Sequence, residues 1–155
     1  MNNLSKIFIS IFGIGFIKFA PGTFGSLISL IFYYLTLNIL NVYIIFLIFF
    51  CVFLFSLKFI KIYSEIVNQN DSSSIVIDEF LGISFIMLFY DYIMCFNNII
   101  SFTLIFLLFR FFDIFKFFPA NWIDKNIKNS WGVILDDIFA GIYTIISLII
   151  VNALI

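Results

Sequence analysis

The sequence contains no histidine, and only eight of its 155 residues are Lys or Arg and nine Asp or Glu. Without an imidazole there is no His-activated nucleophile, no His metal ligand and no His acid–base catalyst. A formal net charge of −1 leaves no basic surplus to hold nucleic acid, and there is no acidic tail. Cysteine is scarce too. Cys51 and Cys95 lie in apolar runs without the downstream arginine of a thiol phosphatase, so both read as buried small residues. Two such cysteines say little about redox compartment. Lys6 precedes a short apolar stretch, 7–12, but no small-residue cleavage site follows, and the segment does not read as a signal peptide.

What the chain has in excess is apolar surface. Hydrophobic residues make up 64%, charged residues 11%, and the mean hydropathy is +1.21. A soluble domain is about 45–50% apolar and about 25% charged, so disorder and a soluble α/β enzyme are both excluded. The expectation is an all-α, polytopic membrane helix bundle forming one integral membrane domain over residues 1–155. Apolar runs cover 26–40, 42–60, 80–96, 99–112 and 138–155. A helix needs about 20 residues to cross the hydrocarbon core, which gives four to five spans. Segment 4–19, with Gly13 and Gly15, reads as an interfacial or re-entrant helix.

If the N-terminus is cytoplasmic and the spans alternate, all eight basic residues fall on one side and the opposite turns hold none. That is a positive-inside pattern. The same alternation brings six of the nine carboxylates to the cytoplasmic face: Asp78-Glu79, Asp113 with Asp124, and Asp136-Asp137. Acids near hydrocarbon cost on the order of 2.5–3.5 kcal/mol at a helix centre and less near an end. Single acids at helix starts are explained by the helix dipole; three groups on one face point to a bound cation. Oxygen ligands without His or thiolate favour Mg²⁺, or Mn²⁺, over Zn²⁺.

The only arginine stands in Arg110-Phe-Phe-Asp113-Ile-Phe-Lys116. Positions i, i+3 and i+6 share one helix face, so two cations and a carboxylate meet where a phosphate ester fits. An ordinary ion pair with a snorkelling lysine is the plainer alternative. Pro21-Gly22-Thr23-Phe24-Gly25-Ser26 runs into the first span. Its glycines and hydroxyls at a helix start are able to supply donors to an anion, although Pro-Gly is also simply a turn.

These segments recur in a recognisable order. Pro21-Gly-Thr-Phe-Gly-Ser26, Ile75-Val-Ile-Asp78-Glu79-Phe-Leu-Gly82, Arg110-x-x-Asp113-x-x-Lys116-x-x-Pro119, Trp122-Ile-Asp124-Lys-Asn126 and Gly132-Val-Ile-Leu-Asp136-Asp137-Ile-Phe-Ala-Gly141 together resemble the phosphatidylglycerophosphatase A family of bacterial inner-membrane enzymes. The likeness runs from about Gly13 to Tyr143. It departs from the family pattern at Phe117, where Lys-Pro-x-Pro is usual, and at Ser72, where a proline is common. Both changes bear on loop shape and leave the charged residues in place. The resemblance implies Mg²⁺-dependent removal of the terminal phosphate of phosphatidylglycerophosphate, giving phosphatidylglycerol and phosphate.

On this reading Asp78, Glu79, Asp113, Asp136 and Asp137 serve metal and attacking water, and Arg110 and Lys116 serve phosphate. Thr23, Gly25 and Ser26 add phosphate donors. Asp124 either joins the acids or organises its loop. With no His, the base is a carboxylate or metal hydroxide. The expected partners are a phospholipid substrate and the inner membrane, with the site facing the cytoplasm; oligomeric state is not legible. A divalent-cation channel or transporter is the main alternative, and it would want acids at mid-span or on both faces, where only Asp91 lies across. A nucleotide-dependent lipid phosphotransferase lacks its spaced Asp-Gly…Ala-Arg signature here.

Overall fold

A computed structural model describes residues 3–67, 73–94 and 96–154, and among these every regular element is a helix. Ser72 and Cys95 lie outside the described residues. The order is α1 (Asn3–Ile9), a 3₁₀ turn (Ile14–Phe16), α2 (Pro21–Thr36), α3 (Val42–Val67), α4 (Ile77–Met87), α5 (Tyr90–Ile93), α6 (Asn98–Phe115), α7 (Ala120–Asn126) and α8 (Ser130–Leu154). Three of them, α3, α6 and α8, are long and apolar enough to cross a membrane. The chain is an all-α membrane bundle.

The remaining apolar runs make shorter helices. α2 has 16 residues and α4 has 11, about 24 and 16 Å at 1.5 Å per residue. Run 80–96 is therefore not one straight span. It breaks after Met87, where Tyr90 turns inward, its ring 5.3 Å from that of Phe102 and its hydroxyl donating to Asn98 Oδ1 at 3.2 Å. The seven-residue α1 is far too short to cross. It lies against α3 through Phe8, whose ring is 5.1 Å from that of Phe59. The chain then reverses through left-handed Ile11, Phe12 and Gly13. Ile9 O accepts from Val76 N–H at 3.0 Å, tying this hairpin to the residue before α4.

Helix α4 sits at the centre, against α2, α3 and α8, and Leu81, Ile83 and Ile86 are fully buried. Lipid tails are as apolar as leucine, so helices in a membrane associate by close packing rather than by escaping water. Glycine makes that possible here. A Cβ on Gly82 would lie 3.0 Å from Asp137 O, and one on Gly141 3.2 Å from Gly82 O, so α4 and α8 touch backbone to backbone. Buried serines are kept neutral by their own helices: Ser26, Ser29 and Ser84 each donate to the carbonyl four residues back. Tyr33 OH then donates to Ser84 Oγ at 2.8 Å and joins α2 to α4.

Helix α3 is the opposite case. Phe46, Leu47, Phe50, Leu54 and Phe55 all point outward, a surface for hydrocarbon and not for water. Cys51, expected to be buried, is exposed on this helix. Its apolar run marked a lipid-facing position, because in a membrane protein an apolar neighbourhood does not distinguish core from lipid.

Candidate active site

Four helix ends meet around one cavity of about 260 Å³. They are the start of α2, the start of α4, the end of α6 and the start of α8, joined by α7 and the residues before α8. Six carboxylates line it (Asp78, Glu79, Asp113, Asp124, Asp136, Asp137), as do three cations (Arg110, Lys116, Lys128). The three acid groups picked out in the sequence thus line one cavity.

The carboxylates are placed by their helices. Asp78 and Glu79 occupy the first turn of α4, where an acid meets the positive end of the helix dipole. Asp78 Oδ1 accepts from Glu79 N–H at 3.1 Å, and Asp136 Oδ1 accepts from Asp137 N–H at 3.1 Å. Oxygens of Asp78, Glu79 and Asp137 lie within 4.8 Å of one another. Glu79 Oε2 is buried without a hydrogen-bond partner. Burial pushes the Glu79 carboxyl well up, and the neighbouring Asp78 and then Asp113 push it further, against the pull of Arg110. Asp78 is raised as well, first by burial. An all-oxygen donor set whose Glu79 Oε2 finds no hydrogen-bond partner among the described residues fits a hard metal cation.

Asp113 and Asp136 stand apart from that trio. Asp113 Oδ2 is 2.5 Å from Arg110 Nη1, the i,i+3 pair expected from the sequence. Arg110 also lies 3.8 Å from Glu79 Oε1 and donates to Ser26 Oγ at 3.3 Å, while its Nε is buried and unpartnered. Lys116 caps the C-terminus of α6 in a left-handed conformation, φ 43°. Its Nζ donates to Asp136 Oδ2 at 2.7 Å and to Asp124 Oδ1 at 2.9 Å. Burial by itself lowers the Lys116 ammonium, but Asp136 and Asp124 outweigh it and the net shift is upward. Asp124 thus ties α7 to the end of α6 while also lining the cavity.

The 21–26 motif reaches the cavity by two residues, Pro21 and Gly22, other than those singled out. Ala20, Pro21 and Gly22 line it; Thr23, Gly25 and Ser26 do not. Ser26 is fully buried and touches Arg110, and a Cβ on Gly25 would press on Val76 at 3.0 Å. Gly22 is the position that matters for space. A Cβ there would stand 2.0 Å from Glu79 Oε1 and 3.3 Å from Arg110 Nη1. The second glycine-dependent approach is at Gly132, where a Cβ would meet Ile127 O at 1.7 Å. Lys128 and Ser73 also line the cavity. Neither carried a local signal, since each becomes part of the site only when α8 folds back beside α4.

Acids and an arginine around one end cavity of a helical membrane bundle form a set able to hold a phosphate ester together with a cation. A family model described as Phosphatidylglycerophosphatase A matches residues 7–152, and the chain belongs to that family of lipid phosphatases. A Haemophilus influenzae protein named phosphatidylglycerophosphatase A is 36% identical over 135 residues, covering 87% of this chain and 80% of that one. An Escherichia coli K12 protein of the same name is 29% identical over 133 residues, covering 84% and 73%. A Bacteroides thetaiotaomicron protein with the name "Putative phosphatidylinositol-3-phosphatase" is 31% identical over 145 residues, covering 87% and 85%. No solved structure matches the chain.

Proposed function

We propose that the chain hydrolyses the terminal phosphomonoester of phosphatidylglycerophosphate to phosphatidylglycerol and inorganic phosphate, with Mg²⁺ as cofactor, on the cytoplasmic face of a bacterial inner membrane. The observation that carries this reading is the charge imbalance of the cavity: six carboxylates against three cations, next to an orphaned Glu79 oxygen. A phosphate dianion enters such a place only with a counter-cation. Bound Mg²⁺ neutralises phosphate charge and lowers the pKa of nearby water.

Asp78, Glu79 and Asp137, whose oxygens lie within 4.8 Å of one another, would hold the cation. Arg110, steered by Asp113 and Ser26, presents its remaining N–H groups to phosphate oxygens. Lys116 anchors Asp136 and Asp124, closing the α7 side of the cavity with one of its three donors left for phosphate. Water oxygen bonds to phosphorus as the bond from phosphorus to the glycerol oxygen breaks. The water proton passes to a cluster carboxylate and on to the departing alkoxide, since the chain has no histidine to take it.

The test is phosphate release from detergent-solubilised phosphatidylglycerophosphate across a Mg²⁺ titration, with phosphatidylinositol 3-phosphate in parallel. Mg²⁺-dependent release from the first substrate, faster than from the second, is the expected result. No release from either overturns the reading and leaves cation transport as the role of the acids.

A further inference from the structure

We propose that the cleft between α2 and α6 holds an acyl chain of the lipid whose phosphate enters the acid-lined cavity, a proposal that rests on the phosphatase reading above. The cleft, about 370 Å³, is walled by Leu30, Ile31 and Tyr34 of α2 and by Ile99, Phe102 and Phe106 of α6. Its floor is closed, with Leu30 and Phe102 buried, and its rim is open, with Ile31 and Ile99 exposed. The side chains exposed around the opening, Ile31 and Ile99 among them, are apolar and suit contact with lipid.

The register of the two helices joins this cleft to the phosphate end. Ser26, Leu30 and Tyr34 fall four residues apart on one face of α2. On α6, Phe106, Phe102 and Ile99 lie four, eight and eleven residues before Arg110, again on its face. Arg110 donates to Ser26 Oγ at 3.3 Å, so this contact is the polar head of the same seam. One turn further, about 6 Å along, the walls are apolar apart from the hydroxyls of Tyr34 and Thr103. The Thr103 hydroxyl is satisfied within its own helix, donating to Ile99 O at 2.8 Å. Tyr34 meets Phe102 edge-on at 5.3 Å, which stiffens the wall. A phosphate site at one end of a seam and a hydrocarbon wall along the rest match an amphiphile with a phosphorylated head and an acyl tail.

The chain leaves bilayer, not water, when it enters the cleft. No hydrophobic transfer is gained, and what the cleft supplies is packing and a fixed approach of the head to Arg110. The effect therefore shows in how lipid is presented, as a modest change in KM.

Two measurements test it. Thr103→Trp fills the cleft. It is expected to raise KM for long-chain phosphatidylglycerophosphate about fivefold, within the range one side chain commands in an apolar pocket, with hydrolysis of the deacylated headgroup ester unchanged. An equal KM for both proteins overturns the proposal, whereas absence of phosphate release by the unmodified protein overturns the phosphatase reading instead. The second measurement needs no variant and no turnover. Phosphatidylglycerophosphate bearing a diazirine at the end of one acyl chain is photolysed with the unmodified protein in phosphatidylcholine vesicles. Adducts are expected on 27–34 and 99–106, suppressed by excess unlabelled phosphatidylglycerophosphate and not by more phosphatidylcholine. Adducts spread along α3, labelling indifferent to the competitor, or cleft residues buried against a second copy of the chain each overturn it.

Discussion

Two ion clusters of nearly the same composition share the cavity, one around Arg110 and one around Lys116, and they differ in how completely they are satisfied. Lys116 spends two donors on Asp136 and Asp124 at 2.7 and 2.9 Å. Around Arg110 the arrangement stays open: among the described residues neither its Nε nor Glu79 Oε2 has a hydrogen-bond partner, and the Glu79 contact is a long 3.8 Å. A closed cluster builds the wall; an open one has valence left for a ligand. Burying unsatisfied charge is costly unless something binds there, which is why the open cluster is the better candidate for chemistry.

The largest expected effect separates the two neighbouring aspartates. Asp137→Asn removes a charge from the trio and is expected to slow phosphate release at least about a hundredfold, a barrier increase of about 2.7 kcal/mol, with a weaker response to Mg²⁺. Asp136→Asn is expected to cost clearly less and to leave the Mg²⁺ midpoint nearer its original value. Initial rates in membranes at matched protein abundance decide this. Equal losses, with equal shifts in metal dependence, would merge the two clusters into one metal site.

Arg110→Lys comes next. It keeps the charge but loses the planar fork and the Asp113 and Ser26 geometry. The expected loss is about 2 kcal/mol, roughly thirtyfold, measured as kcat/KM for phosphatidylglycerophosphate. Full activity would move phosphate recognition to another cation and make Arg110 an orienting charge.

Gly22→Ala probes the same open cluster by steric means. Its Cβ collides with Glu79 Oε1, the end of a flexible side chain, so the protein is expected to fold at normal abundance while the carboxylate is displaced. The expected activity loss is about tenfold, about 1.4 kcal/mol. Unchanged activity at normal abundance would show that the Glu79 position is immaterial.

Lys116→Met tests the closed cluster, and its principal readout is stability. Two carboxylates lose their cation at a site that still sees solvent, so the cost is reduced from that of a fully buried pair to about 1–2 kcal/mol. A lower unfolding temperature in detergent is the check, with Lys116→Arg recovering much of it. The pairing raises the Lys116 pKa. Its contribution is therefore fully present below the ordinary lysine value and is lost only as pH rises through the higher folded one.

Much of the site was legible because its residues sit at helix ends that charge patterning locates. Arg110 and Asp113 needed only the spacing i,i+3, and the Asp78-Glu79 and Asp136-Asp137 pairs stood out as adjacent acids in a chain poor in charge. The assignment of Lys116 to phosphate could not be refined in sequence, because its partners Asp124 and Asp136 are eight and twenty residues away. Ser26 carried a hydroxyl and looked like a phosphate donor, yet in α2 that hydroxyl is spent on Gly22 O and on receiving Arg110. Cys51 was misjudged for a reason particular to membranes: lipid and core are equally apolar, so hydropathy is blind to which one a side chain faces.

Composition and apolar runs by themselves determined a helical membrane protein, because no other structure with so little charge and no closed barrel satisfies its backbone in hydrocarbon. The order of the motifs determined the family, and the side-by-side acids determined which helix ends carry charge. Only the tertiary structure decided which acids share a cation and which are held by lysine. It also put Gly22, rather than Thr23, against Glu79, and it shortened one apolar run into α4 and α5. These outcomes depend on how near α4 comes to α8 and α2 to α6, distances set by Gly82, Gly141 and Gly22 meeting backbone or side chains from remote parts of the chain. Periodicity along one helix carries no information about such distances.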